Sequence, residues 1–334
     1  MERYHRQMRF QHFGTSGQHQ LQQLHVLIIG VGALGSGIAE QLVRSGVGKL
    51  TIVDKDVVHL SNLHRQSGYI EADAEVMKPK VFALKERLAM MNHEVTIEPL
   101  YEEVTARNIE GILEELQPDM VLDGLDRFET RYLVNEATRK LNIPYIYGAV
   151  VGSQLSVFPI SHDGPCLHCV MPDVPETMES CDLNGVLPPA VHLASSFVVA
   201  EVFYYLMHGD FSYQMTTTDI YQGKVKKLSI QSLKEENCPV CAQQQYRRLQ
   251  NKQLKSTQLL CGGVYQFRLS REQFEASIRK EVTVLIDNAF VKRLQFQTYE
   301  LTLYQDGRVL VYGASDIETA QSIVRQVFEQ LIHI

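Results

Sequence analysis

Apolar positions along the first half of the chain alternate between two spacings. Residues 26–30 form a short apolar run that closes on glycine, and Leu34, Ile38, Leu42 and Val43 then recur three to four apart. The run reads as a buried strand and the spacing as a helix. The pattern continues with a run at 50–53 that ends at Asp54. Val81, Leu84 and Leu88 mark a helix, 95–97 a strand, 109–116 a helix, 120–122 a strand, 132–141 a helix and 145–147 a strand. Strands separated by helices predict an α/β fold, doubly wound around a mostly parallel, Rossmann-like sheet.

After Gly152 the rhythm changes. Residues 154–160 and 213–230 read as antiparallel strands that extend the sheet, with a Pro-rich loop (164–189) and an apolar helix (190–207) between them. A polar linker at 242–257 carries several glutamines and basic residues. The expected organisation is a main domain over 1–250 and a small α+β domain over 258–334. In the latter, residues 300–304 and 308–312 flank Asp306-Gly307, a hairpin signal. Ala320, Ile323, Val324, Val327, Phe328 and Leu331 then line one helical face.

Composition narrows the function classes. The 334 residues are 45% hydrophobic and 21% charged, the profile of a globular chain, and the net charge of -7 argues against bulk attraction to nucleic acid or anionic membrane. No uninterrupted apolar run reaches the ~18 residues of a membrane span. The first ten residues lack the apolar core of a signal peptide. A cytoplasmic location is expected, and there the six cysteines point to metal or reactive thiols more than to disulfides.

Candidate chemistry begins at Gly30-Val31-Gly32-Ala33-Leu34-Gly35, which follows a strand and opens a helix. In that setting Gly30 permits the tight turn, Gly32 lets backbone approach phosphate, and Gly35 lets helix and strand pack closely. The helix start, at Ala33, offers free N–H donors to anionic oxygens. Asp54, at the end of the next strand, can accept bonds from ribose hydroxyls. This fingerprint fits NAD as well as ATP. The following stretch, Ser61-Asn62-Leu63-His64-Arg65-Gln66, favours a polyphosphate, because a guanidinium at Arg65 can hold phosphate oxygens in a bidentate grip. Lys78 and Lys80 add positive charge before the next helix, although each also suits a solvated helix start.

The sequence resembles the ThiF/MoeB/HesA family, the bacterial relatives of ubiquitin-activating enzymes. The resemblance runs through Arg3-Tyr4-His5-Arg6-Gln7, Gly17-Gln18, the glycine loop, Asp54, residues 61–66, Lys80, Asp123-Gly124-Leu125-Asp126 with Arg131, and the cysteines, over roughly residues 1–245. It implies an ATP-dependent adenylyltransferase that activates the C-terminal glycine carboxylate of a ubiquitin-like sulfur carrier, MoaD-like or ThiS-like. The carrier then serves molybdopterin or thiamine-thiazole synthesis. Asp54 would hold ribose. Ser61, Asn62, Arg65 and Lys80 would lie along the phosphates, and Asp126 would bind magnesium. Arg6 would reach the phosphates from the partner subunit of a homodimer. Family members commonly carry Asn after the metal-binding Asp, where this chain has Arg127, which would sit near the acyl-adenylate as part of the nucleotide site. The catalytic set implied is Arg6, Arg65, Asp126 and Cys181.

The cysteines divide into groups. Cys166-Leu167-His168-Cys169 and Cys238-Pro239-Val240-Cys241 are two C-x-x-C knuckles whose four thiolates suit one structural zinc, with His168 a bystander. A redox C-x-x-C would need a thioredoxin-like context that is not present. Cys181 stands apart on a polar loop. Its place matches the family's loop cysteine, which forms an acyl persulfide with the carrier in ThiF-like members and is dispensable in MoeB-like ones. Asp182 beside it works against strong nucleophilicity. An external persulfide donor is the further partner expected on either route. Cys261 reads as a small apolar residue.

Three other readings fit less. An NAD-dependent oxidoreductase leaves Asn62, Arg65, Asp126 and the knuckles without a role. A family relative that adenylates a modified tRNA base or a peptide fits the core motifs, but the tRNA-modifying ones generally lack paired knuckles. A non-catalytic carrier-binding scaffold does not require Arg6, Asp54, Asn62, Arg65, Lys80 and Asp126 together.

Overall fold

The computed structural model describes residues 2–172, 185–270, 278 and 281–328. The chain divides into two compact units, Met1–Lys252 and Gln253–Ile334. Cys181 and Leu331 lie outside the described residues.

The first unit opens with two helices, α1 (His5–Met8) and α2 (Gly14–Gln23), and then winds β1 (His25–Ile29), α3 (Ala33–Ser45), β2 (Lys49–Asp54), α4 (Glu71–Glu75), α5 (Lys80–Met91), β3 (Thr96–Tyr101), α6 (Ile109–Leu116), β4 (Met120–Asp123), α7 (Phe128–Lys140) and β5 (Tyr145–Val151). These five strands are parallel in the order β3-β2-β1-β4-β5. β6 (Gln154–Ile160), β7 (Gln214–Asp219) and β8 (Lys224–Ser229) extend the sheet in antiparallel fashion. Val26, Leu27, Ile28, Leu50, Ile52, Met120, Val121 and Leu122 are fully buried, as strands covered by helices on both faces must be.

Register fixes where the site falls. Ile29 pairs with Val53 on one side and with Asp123 on the other. The three central strands therefore end level, and Gly30, Asp54 and Gly124 emerge side by side at the carboxyl edge of the sheet. In open α/β sheets that edge is where ligands bind.

Two boundaries differ from the sequence reading. α7 begins at Phe128, before the apolar period shows, because its first turn follows the loop that leaves β4. Helix α9 (Pro188–His208), which follows the short α8 (Leu167–Val170), is 21 residues long, and an 18-residue stretch of it has a mean hydropathy of 1.5. By length and composition it qualifies as a span, and counting only uninterrupted apolar residues misses this. Its Ala190, Val191, Ala194, Val198 and Val202 are buried, and it packs on α3, β5 and β6 as a core helix does.

The linker also holds more structure than its composition suggests. Residues Arg247–Gln250 form a helical turn, α10, and the backbone amides of Arg248 and Leu249 donate to Glu136 Oε2 at 2.8 and 3.1 Å.

The second unit is a six-stranded antiparallel sheet in the order β11-β12-β13-β14-β10-β9, and its described residues include an amphipathic helix, α11 (Ile317–Val327). Its strands are β9 (Thr257–Leu260), β10 (Val264–Arg268), β11 (Thr283–Asp287), β12 (Val291–Phe296), β13 (Tyr299–Tyr304) and β14 (Arg308–Tyr312). The Asp306-Gly307 hairpin forms as expected. Gly307 sits at φ 84°, and its amide bonds to the Tyr304 carbonyl at 3.0 Å. Ala320, Ile323, Val324 and Val327 of α11 close a core with Phe267, Leu294, Leu301 and Val309.

Candidate nucleotide site and metal centre

Three glycines build the turn after β1. Gly30 has φ 86°, in the left-handed region, and a Cβ there would lie 2.6 Å from the Gly124 carbonyl oxygen. A Cβ on Gly35 or on Gly124 would lie 1.9 Å from the Gly30 carbonyl oxygen. Any side chain at these positions would force the strands and α3 apart. Gly32 differs, since its Cβ would meet only Gln66 Nε2, at 3.8 Å. Packing does not demand glycine there, and the space above it is open. No side chain caps α3, so the first-turn amides from Ala33 onward remain available to an anion.

The loop is held at both backbone groups of one residue, Val31. The Val31 amide donates to Asp54 Oδ2 at 2.8 Å, and the Tyr69 hydroxyl donates to the Val31 carbonyl at 2.6 Å. Asp54 Oδ1 accepts the Asp56 amide at 2.8 Å. Each oxygen keeps a lone pair for a ribose hydroxyl. Burial raises the Asp54 pKa, against the pull of Lys80 and of these amides.

Lys80 is buried at the start of α5, its ammonium 3.4 Å from Asp56 Oδ2. Burial works to lower its pKa, but Asp54, Asp56 and Asp126 together outweigh burial and raise it. One buried ammonium thus faces three carboxylates. A polyphosphate entering this site needs further cations, and that is the role open to a divalent ion and to arginines. Asp126 is exposed beyond the end of β4, as a metal ligand shared with phosphate oxygens must be. Asp56, which no motif singles out, is the acidic partner nearest Lys80.

Asp126 stands on a rigid base. Asp123, fully buried, accepts the Tyr145 hydroxyl at 2.7 Å and the Leu125 amide at 2.8 Å, and pairs with Arg131 Nε at 3.1 Å. The Arg131 guanidinium also donates to the carbonyls of Leu125 and Gly148, at 2.5 and 2.9 Å. Burial raises the Asp123 pKa, and Arg131 is the main influence that opposes it. Arg127, just after Asp126, pairs with Glu129 at 2.8 Å.

Not every expected phosphate ligand is directed at the loop. Arg65 donates to the carbonyl of Ser61 at 3.0 Å, folded back on its own turn, and Ser61 is exposed. Asn62 is half-buried on the same turn, its carbonyl accepting the amides of Arg65 and Gln66. Arg6 is exposed on α1, and the segment that carries it is anchored at the far end of α3. Gln7 and Gln18 donate to the Ser45 carbonyl at 3.1 Å each, and Tyr4 fills the space beside Gly46. The 13 residues of α3 span about 20 Å. An arginine side chain does not bridge that distance to the phosphate loop.

The four knuckle cysteines converge. Their sulfurs all lie within 4.8 Å of one another, with Cys166–Cys169 at 3.8 Å, Cys166–Cys238 at 3.7 Å and Cys169–Cys241 at 3.5 Å. Zn–S bonds of about 2.3 Å in a tetrahedron require sulfurs about 3.8 Å apart, so the donors fit zinc. All four are free thiols. Four sulfurs would close the shell of a zinc ion held there, as in a structural site. α7 braces both knuckles, since Asn135 Oδ1 accepts the Leu167 amide at 2.9 Å and Glu136 anchors α10 beyond the second knuckle.

The sequence profile described as ThiF family matches residues 4–240. The chain belongs to the ThiF family. A Bacillus subtilis (strain 168) protein named sulfur carrier protein ThiS adenylyltransferase is 34% identical over 329 residues, covering 96% of this chain and 97% of its own. A Thermus thermophilus protein named sulfur carrier protein adenylyltransferase is 33% identical over 273 residues, covering 78% of this chain and 97% of its own. The crystal structure of E. coli MccB superposes with a TM-score of 0.61 at 21% identity, over 72% of each chain, a likeness of fold. As an adenylyltransferase of the ThiF family, the chain uses ATP.

Proposed function

We propose that this chain adenylates the C-terminal glycine carboxylate of a ubiquitin-like sulfur carrier of the ThiS or MoaD type. One observation carries the reading. Gly30, Asp54 and Gly124 leave three level strand ends, and Lys80 and Asp126 flank the same edge. The full-length similarity to the Bacillus protein supports the choice of substrate.

The chemistry suits these groups. A carboxylate oxygen of the carrier attacks the α-phosphorus of ATP, the bond to the bridging oxygen breaks, and pyrophosphate leaves. The nucleophile is ionised at neutral pH, so no general base is needed. The task is to bring anions together and align them. Asp54 receives the ribose, and the α3 amides and Lys80 hold phosphate oxygens. Arg65 turns from the Ser61 carbonyl to the phosphates. Asp126 would hold magnesium, which neutralises phosphate charge when bound. Arg6 acts from the partner subunit of a homodimer, because its own site lies at the other end of α3. Cys166, Cys169, Cys238 and Cys241 would hold zinc, which would tie the two knuckles together. Adenylation does not call on Cys181. We place the protein in the cytoplasm, where four clustered thiols stay reduced.

Asp126→Ala tests the site. It should abolish magnesium-dependent exchange of pyrophosphate into ATP and leave the thermal stability of the free protein unchanged, since Asp126 is exposed. Exchange at the wild-type rate would remove Asp126 from the reaction.

A further inference from the structure

The glycine loop contains three successive peptide units, and each is held from a different part of the fold. The Gly30–Val31 peptide is fixed at its N–H, which donates to Asp54 Oδ2 at 2.8 Å. The Gly32–Ala33 peptide is fixed at its carbonyl, which accepts the Ser36 amide at 3.1 Å as α3 begins. Between them lies the Val31–Gly32 peptide. Its carbonyl accepts the Tyr69 hydroxyl at 2.6 Å. The Gly32 amide, on the opposite side of that unit, has no partner among the described residues.

A trans peptide points its carbonyl and its N–H in opposite directions. With the Val31 carbonyl turned to the buried Tyr69, the Gly32 N–H faces away from Tyr69 and stays free for an incoming acceptor. Glycine makes this unit easy to turn over, because rotation on either side of it meets little steric resistance. Turned over, the unit would offer a carbonyl oxygen where the loop meets phosphate, and two acceptors repel. The neighbouring bonds to Asp54 and Ser36 lie on other peptides, so the Tyr69 hydroxyl is the contact that opposes the flip.

Tyr69 is itself firmly placed. Gly68 before it has φ 83°, and a Cβ there would lie 2.8 Å from Leu84 Cδ1. After it, the Ile70 amide donates to Asp73 Oδ2 at 3.1 Å at the start of α4. Burial, and then the carboxylates of Asp54, Asp73 and Asp56, push the Tyr69 pKa well above the usual tyrosine value, so the hydroxyl keeps its proton and remains a donor.

We propose that Tyr69 is a positioning residue for adenylation, whose hydroxyl locks the Val31–Gly32 peptide in the orientation that presents the Gly32 amide to the phosphate chain of ATP. This rests on the adenylation reading and adds to it a residue that works through the backbone rather than on the nucleotide.

Tyr69→Phe tests it, since it deletes the hydroxyl and keeps the ring. The variant is compared with wild type by thermal unfolding of the free protein and by pyrophosphate exchange with a ThiS- or MoaD-type carrier over a range of magnesium-ATP. The Gly32 amide would hold phosphate in the ground state and the transition state alike, so its misplacement falls on KM. KM for ATP should rise about five- to tenfold, the scale of one hydrogen bond, while kcat stays within about twofold and KM for the carrier is unchanged. A variant that melts lower but keeps the wild-type KM for ATP would make the bond a packing contact and overturn the proposal. A fall in kcat with KM for ATP unchanged would overturn it as well. Failure of the wild type to exchange pyrophosphate at any ATP concentration would instead sink the adenylation reading, and this proposal with it.

Discussion

Removing Arg131 should destabilise the fold in a way that depends on pH. Arg131→Met keeps the length of the side chain and deletes its charge. Asp123 is then left fully buried with only neutral donors beside it, among them the Tyr145 hydroxyl and the backbone amides of Leu125 and Gly148. Breaking one side of a buried ion pair costs about 3–5 kcal/mol. At roughly 2–4 °C per kcal/mol for a domain of this size, the melting temperature should fall by about 10 °C at neutral pH. Asp123 already has a pKa raised by burial, and Arg131 is the main influence that opposes the rise. In the variant the pKa climbs further. A carboxyl with a folded pKa above its unfolded value disfavours folding while it is ionised, and that penalty fades as pH falls through the folded pKa. The gap between variant and wild type should therefore be largest near pH 8 and narrow toward pH 5. Differential scanning fluorimetry of the ligand-free proteins across that range measures it. A gap that stays constant, or widens in acid, would refute the view that an uncompensated Asp123 charge is the cause.

Two further outcomes follow from the same geometry. Cys238→Ser, or removal of metal with a strong chelator, should lower the melting temperature by several degrees, because zinc bound across two knuckles contributes directly to folding free energy; elemental analysis should find one zinc per chain, and its absence from reduced protein would exclude the metal. Mixing inactive Arg6→Ala with inactive Asp126→Ala subunits should restore part of the pyrophosphate exchange, since one site of each mixed dimer is then intact; no recovery after proven subunit exchange would assign Arg6 to its own subunit or to no site.

The sequence shows the Rossmann half well because parallel strands buried on both faces are almost purely apolar, and because three glycines in a turn between a strand and a helix mark a place where backbone must pass close to phosphate. The cysteines are equally readable, as metal geometry limits their spacing. Other features depend on contacts that no local pattern announces. The turn between β12 and β13 is Gln297-Thr298, with Gln297 at φ 55°, where the usual hairpin signal is Asn-Gly or Asp-Gly. Glu136 sits in an ordinary helical pattern, yet it anchors α10 from 112 residues away. Asp123 and Asp126 look alike as letters in one motif. Burial separates them, making Asp123 a buried support for the loop and leaving Asp126 open to a metal. Asp56 and Gln66 lie inside recognisable motifs, but only the fold shows one beside Lys80 and the other over Gly32.

The central claim is that the carboxylate of a carrier protein becomes an acyl-adenylate at this site. Its most direct test is the intact mass of a ThiS- or MoaD-type carrier after incubation with the protein, magnesium-ATP and pyrophosphatase. The account predicts a carrier heavier by one AMP, one pyrophosphate formed per adduct, and no adduct on a carrier that lacks its C-terminal glycine. Release of ADP and phosphate with no AMP on the carrier, or an adduct that forms equally well on the truncated carrier, would contradict it.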